Sequence, residues 1–124
     1  MSLSDDVSVS GDPMDAHEVK NLLETRRQAD RRYLEFLRVP ALSAGIYELP
    51  KGGQDRQSPH TEDEIYYVLR GRAEIRVGLE DRKARSGTLI LVPARVAHRF
   101  HHIRERLSLL VIFGPAERHA GEDS

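Results

Sequence analysis

Six histidines and no cysteine occur in this 124-residue chain, so any metal or proton chemistry rests on imidazole, carboxylate and neutral oxygen donors. His17 falls in a helical stretch and His119 in the C-terminal tail, whereas His60, His98, His101 and His102 fall at the ends or interiors of short apolar stretches. Those four are the site candidates. His60 is followed four residues later by Glu64. A neutral imidazole is the commonest metal ligand, and a carboxylate is its usual companion where thiolate is absent. Taken alone, the pair reads as a turn histidine beside a strand-edge charge. Residues two apart on a strand share a face, however, so Glu64, Tyr66 and Val68 should point one way, and His98, Phe100 and His102 should share a side. If both faces look into one interior, His60, Glu64 and His98 meet as two imidazoles and one carboxylate, leaving further positions to water, Gln57 or a substrate. That set suits one divalent ion, iron(II) or zinc first, with manganese and nickel as further options.

The elements that must position these residues follow from periodicity. Between Asp15 and Arg38 the apolar residues Val19, Leu22, Leu23, Ala29, Tyr33, Phe36 and Leu37 recur at roughly helical spacing until Pro40 stops the pattern. This predicts one amphipathic helix, whole or in two pieces, within residues 14–40. After Pro40, stretches rich in Val, Ile, Leu and Tyr are separated every eight to twelve residues by Gly, Pro or charged clusters, the mark of an all-β barrel or sandwich. Strands are expected over Leu42–Leu49, Glu64–Leu69, Ala73–Gly78, Thr88–Val92, Ala97–His102 and Leu107–Phe113, within a barrel spanning 41–116. Ala73, Ile75 and Val77 alternate with Glu74 and Arg76, giving one buried and one wet face. Residues 1–13 and 117–124 read as tails.

Composition sets outer bounds. The length fits one domain with one core. At 39% apolar, with no long apolar run, the chain offers neither a membrane span nor a secretory signal, and a cytoplasmic location is compatible with the lack of cysteine. Nineteen basic and twenty acidic residues give a formal charge of −1, which argues against nucleic-acid binding. The arginines from Arg26 to Arg38 interleave with Asp30 and Glu35 and read as a solvated helix face.

The stretches Gly52-GQDRQSPHTEDEIYYVLR-Gly71 and Gly87-TLILVPARVAHRFH, separated by fifteen residues, resemble the two motifs of the cupin family. The resemblance covers about Leu42 to Pro115. It implies a double-stranded β-helix, or jelly-roll, preceded here by the N-terminal helix. It also implies that His60, Glu64 and His98 are three of the family's four metal ligands. The fourth departs: its position falls on Ser58, or on Gln57 if the register slips by one. Glu62 is the rival carboxylate, but choosing it breaks the spacing to Gly71. Arg95 stands where the family has glycine, and His102 where it has asparagine.

Cupin barrels host dioxygenases, isomerases, decarboxylases, epimerases, sensing domains and non-enzymatic proteins, so the resemblance does not name a reaction. The expectation is a metal-dependent enzyme of oxygenase or isomerase type acting on a small polar molecule. The alternative is a ligand-binding or sensing barrel without turnover and without metal. Tyr66 and His102 are the candidate proton-handling residues, and Ser58, Tyr66, Phe100 and His102 the candidate pocket lining. Outward-facing Ile65, Tyr67 and Leu69 would be costly to leave in water, so a homodimer is expected unless the N-terminal helix covers them.

Overall fold

The structure is a computed structural model and describes residues 13–57 and 59–118. The expected tails therefore lie mostly outside the described residues, as does Ser58. In chain order the elements are helix α1 (Val19–Gln28), then strands β1 (Tyr33–Val39), β2 (Leu42–Leu49), β3 (Asp63–Val77), β4 (Glu80–Arg85), β5 (Leu89–Val92) and β6 (His98–Gly114). The sheet runs β1-β2-β6-β3-β4, all neighbours antiparallel, with β5 on the other side of the first half of β3. No helix among the described residues is long and apolar enough to cross a membrane.

Alternate residues of every long strand turn inward. Leu49, Tyr66, Val68, Ile75, Val92, Phe100, Leu107, Leu109, Val111 and Phe113, all at most 2% exposed, pack into one cluster that closes the curled sheet as a jelly-roll barrel. The two strands expected on either side of Gly71 are one strand, β3, and the two expected on either side of Ile103 are one strand, β6. Each is bent rather than broken. Register shifts between Val68 and Glu74 coincide with Gly71 at φ 102°, where an added Cβ would stand 2.2 Å from the Arg106 carbonyl oxygen. Only glycine accepts both that backbone angle and that approach. The charged strand β4 carries no apolar alternation, since Ala84 is its one buried residue, and it forms the sheet edge, where charge discourages further pairing.

The N-terminal segment corrects the expected single helix. α1 stops at Gln28, and Tyr33–Val39 pairs with β2 as an edge strand. A short stretch with apolar residues at 33, 34, 36 and 37 suits either period, and the open edge of β2 decides in favour of the strand. Its register shifts between Glu35 and Leu37, leaving Phe36 to pack with Leu22, Leu23 and Ile46. One turn beyond Leu22, Arg26 reaches the buried Glu48: its Nε and Nη2 lie 2.9 and 2.8 Å from Oε1, while the Ser108 hydroxyl donates to Oε2 at 2.5 Å. The helix thus covers one end of the outer sheet face, including Leu69 and Leu110, and leaves Tyr67, Leu89 and Leu91 at 40, 68 and 62% exposed.

Candidate metal centre

Glu64 is the second residue of β3 and His98 the first of β6, and both side chains are 1% exposed. Strand alternation sends Glu64 inward with Tyr66, and His98 inward with Phe100. His60 comes from the loop before β3 and turns back over the barrel mouth. A backbone bond from Arg95 N to the His60 carbonyl (2.6 Å) ties that loop to the turn after β5, and the His60 ring packs against Phe113 and His98 at centroid distances of 4.9 and 5.6 Å. Glu64 Oε1 lies 3.1 Å from His98 Nε2 and 3.9 Å from His60 Nε2, and one ligating atom from each of the three residues falls within 4.8 Å of the others.

The outer ring nitrogens are both occupied. His98 Nδ1 donates to the Val96 carbonyl at 2.9 Å, and His60 Nδ1 lies 3.2 Å from Glu117 Oε2. Such partners fix the tautomer that points the Nε2 lone pair inward, which is how metal-ligating histidines are held. Inside, the bonding is incomplete: both Glu64 oxygens and His98 Nε2 are buried without an aligned hydrogen bond. A buried ionised carboxylate left so is costly. Two imidazoles and a carboxylate with orphaned inward atoms fit a divalent cation.

Without such a cation, protons take its place. His60 binds its proton more tightly than a free imidazole because it bonds to Glu117, with burial opposing and Glu64 adding to the attraction. For His98, burial is the largest influence and works against the charge, but the Glu64 carboxylate and the Val96 carbonyl outweigh it and the net shift is upward.

A polar chain runs behind the ligands. Buried Asp55 accepts from the Tyr47 hydroxyl (2.8 Å), the Phe100 amide (2.9 Å) and Gln57 Nε2 (3.0 Å). Gln57 Nε2 also donates to the Tyr66 hydroxyl at 2.9 Å, and its Oε1 faces His60 Nε2 at 3.2 Å. A cleft of about 270 Å³, lined by Asp55, Gln57, Pro59, Ala97, His98 and the rim residues Arg76 and Arg99, opens beside this chain.

Of the expected pocket residues, Tyr66 and Phe100 are fully buried in the barrel. His102 is not in it. Its side chain is 65% exposed on the outer face, because a left-handed backbone at His102 (φ 48°) breaks the alternation and makes Ile103 the next inward residue. Arg95, at the position where the family has glycine, takes a positive φ (66°) and is exposed. Glu62 is buried but takes the Thr61 hydroxyl and stands outside the ligand group. Asp55, Glu117 and Tyr33, whose buried hydroxyl has no hydrogen-bond partner and feels the Glu117 and Glu64 charges, were not anticipated. Glu117, expected in the tail, instead packs on the barrel, its amide donating to the Ser43 hydroxyl at 2.8 Å. Nothing in their local sequence marks these three, since long-range contacts bring them to the site.

A curled antiparallel barrel whose mouth gathers two histidines and a glutamate from a loop and two strands defines a small single-barrel jelly-roll protein. Residues 45–113 match the family described as Cupin domain, and the chain belongs to the cupin family. It is 46% identical over 104 residues to an uncharacterized protein of Streptomyces coelicolor, covering 84% of this chain and 99% of that one. Among solved structures, TT1209 of Thermus thermophilus is similar with a TM-score of 0.67 at 22% identity, over 83% of this chain and 99% of the other. KdgF of a Halomonas species is similar at 0.63 and 21% identity, over 71% and 79% of the two chains. The DMSP lyase DddQ of Ruegeria pomeroyi is similar at 0.60 and 22% identity, over 75% and 50%. These structural likenesses speak to the fold.

Proposed function

We propose that this cupin binds one divalent metal on His60, Glu64 and His98 and acts as a metal-dependent enzyme, of oxygenase or isomerase type, on a small polar molecule. The observation that carries this reading is the set of buried inward atoms on Glu64 and His98, which face one another at 3.1 Å but make no aligned hydrogen bond. A bound ion would supply a Lewis acid or, as iron, a redox centre. Iron(II) and zinc suit the donor set best, and Gln57 Oε1, 3.2 Å from His60 Nε2, is a neutral oxygen available for a further position.

The chain's own residues define what can approach. Burial, reinforced by the Glu64 charge, holds the Tyr66 hydroxyl far above the usual phenol range, so it stays protonated and serves as a hydrogen-bond donor, never as a base. Asp55 holds Gln57, and Gln57 in turn holds the Tyr66 hydroxyl and sets its own Oε1 beside His60, so these groups position a ligand without reorganising. The cleft of about 270 Å³ limits the ligand to a small molecule, and Arg99 at the rim favours one with an anionic or strongly polar substituent. A DMSP lyase among the similar structures supports catalysis in a barrel of this shape. The test is to load the protein with iron(II) or zinc and follow oxygen uptake and the fate of small carboxylates and hydroxy acids. Turnover lost in His98→Ala supports the enzyme; stoichiometric binding without turnover replaces it with a ligand-binding barrel.

We also propose that two copies pair through the outer face that α1 leaves open, where Tyr67 stands opposite Leu89 and Ile65 opposite Leu91.

A further inference from the structure

His101 and His102 are sequence neighbours on β6, and neighbours on a strand ordinarily point to opposite faces. Here they point to the same one. The left-handed backbone at His102 (φ 48°) swings its ring back over the outer face, where the two Nδ1 atoms stand 2.6 Å apart and the ring centroids 4.8 Å apart. Glu74, the cross-strand partner of His101 on β3, brings Oε2 to 3.3 Å from His102 Nδ1. One ligating atom from each of Glu74, His101 and His102 lies within 4.8 Å of the others.

A second layer of contacts aims these atoms. His101 Nε2 lies 2.8 Å from Asp81 Oδ1, and Asp81 Oδ2 is held at 3.0 Å by Arg76 Nη1. The Asp81 carboxylate accepts a hydrogen bond from Nε2–H, so in the neutral ring the Nδ1 lone pair faces His102 and Glu74. A carboxylate behind a histidine is the support found behind metal-ligating imidazoles. The proton on His102 Nδ1 that this arrangement requires occupies the space between His101 and Glu74.

We propose that Glu74, His101 and His102 form a second divalent-cation site on the outer face of the barrel, taking a borderline transition metal such as zinc or copper(II). Two imidazoles and one carboxylate select those ions over magnesium or calcium, which prefer all-oxygen sets. Ligand atoms of a tetrahedral zinc site stand roughly 3.3 Å apart, given bonds of about 2.0–2.1 Å. The Glu74–His102 spacing already matches, and the two Nδ1 atoms, 2.6 Å apart, must open by about 0.7 Å as the cation displaces the proton. Lys83 stands opposite Glu74 in the ladder and its positive charge opposes a cation there, so the site binds more weakly than a buried one. It is independent of the barrel site, and its failure leaves that reading intact.

The test is titration of untagged His98→Ala protein, in which the barrel site is disabled, with zinc by calorimetry and by competition against a chelating dye. One equivalent is expected. It should be lost, or weakened at least ~10-fold, in His98→Ala/His102→Asn and in His98→Ala/Glu74→Gln, and weakened ~10–100-fold by Asp81→Asn, which removes only the support behind His101. Asparagine accepts the left-handed backbone, so the His102 change removes the imidazole and keeps the fold. Circular dichroism and the melting temperature check this. No binding by His98→Ala, or binding that survives His102→Asn unchanged, overturns the proposal.

Discussion

Two groups with the same chemical makeup sit on opposite faces of the same two strands. Inside, β3 gives Glu64 and β6 gives His98, with His60 added from a loop; outside, β3 gives Glu74 and β6 gives His101 and His102. What separates them is water. Glu64 and His98 have side chains 1% exposed and inward atoms without aligned partners, whereas Glu74 and His102 are 33 and 65% exposed and can be satisfied by solvent and by one another. A buried carboxylate that water cannot reach gains far more from a cation than an exposed one does. Donor type therefore sets which ions suit both sites, and burial sets which site is strong.

The largest consequence is thermal. Free zinc or iron(II) at about 100 times the barrel site's dissociation constant should stabilise the folded chain by about 2.7 kcal/mol. For a domain of this size that raises the melting temperature by about 10 °C in a differential scanning experiment. His98→Ala should abolish the rise, whereas His102→Asn should leave nearly all of it. Equal losses in the two variants would erase the distinction between the sites.

Next in size are the supports behind each histidine set. Asp55→Ala leaves the Tyr47 hydroxyl and the Phe100 amide without their buried acceptor, and should cost about 2–3 kcal/mol in urea unfolding. Asp81→Ala, which cuts an exposed pair with Arg76 and a contact to His101, should cost less than about 1 kcal/mol.

Proton dependence sharpens the comparison further. In the metal-free protein His60 and His98 hold their protons more tightly than a free imidazole of pKa 6.5. Their stabilising contribution is therefore full below about 6.5 and is lost as pH rises through the raised folded values. The stability difference between wild type and a His60→Ala/His98→Ala variant, measured without metal, should shrink as pH rises across that window. Metal affinity should run the other way, falling as acid refills the two imidazoles. A pH-independent difference would contradict the proton-for-metal exchange. The smallest energetic effect belongs to the open sheet face, away from both sites: Leu89→Lys with Leu91→Lys should give monomers in analytical ultracentrifugation while metal content stays unchanged.

The barrel and the pairing of Glu64 with His98 were legible because a period of two, glycine at the bends and the two motif spacings all point the same way. The stretch from Tyr33 to Val39 was misread because its apolar spacing suits a helix as well as a strand, and the vacant edge of β2, a tertiary fact, decides between them. His102 was misread because alternation was carried through a residue whose positive φ reverses it. Asp55 and Glu117 left no local trace, since each acquires its role only when the chain returns to the mouth from far away in sequence.

The central claim is that one divalent ion sits on His60, Glu64 and His98. Elemental analysis of untagged wild-type and His98→Ala protein, each reconstituted with iron(II) or zinc and dialysed against a weak chelator that strips exposed sites, tests it directly. The account predicts close to one retained equivalent per chain in the wild type and none in the variant. No retained metal in either, or equal metal in both, would contradict it.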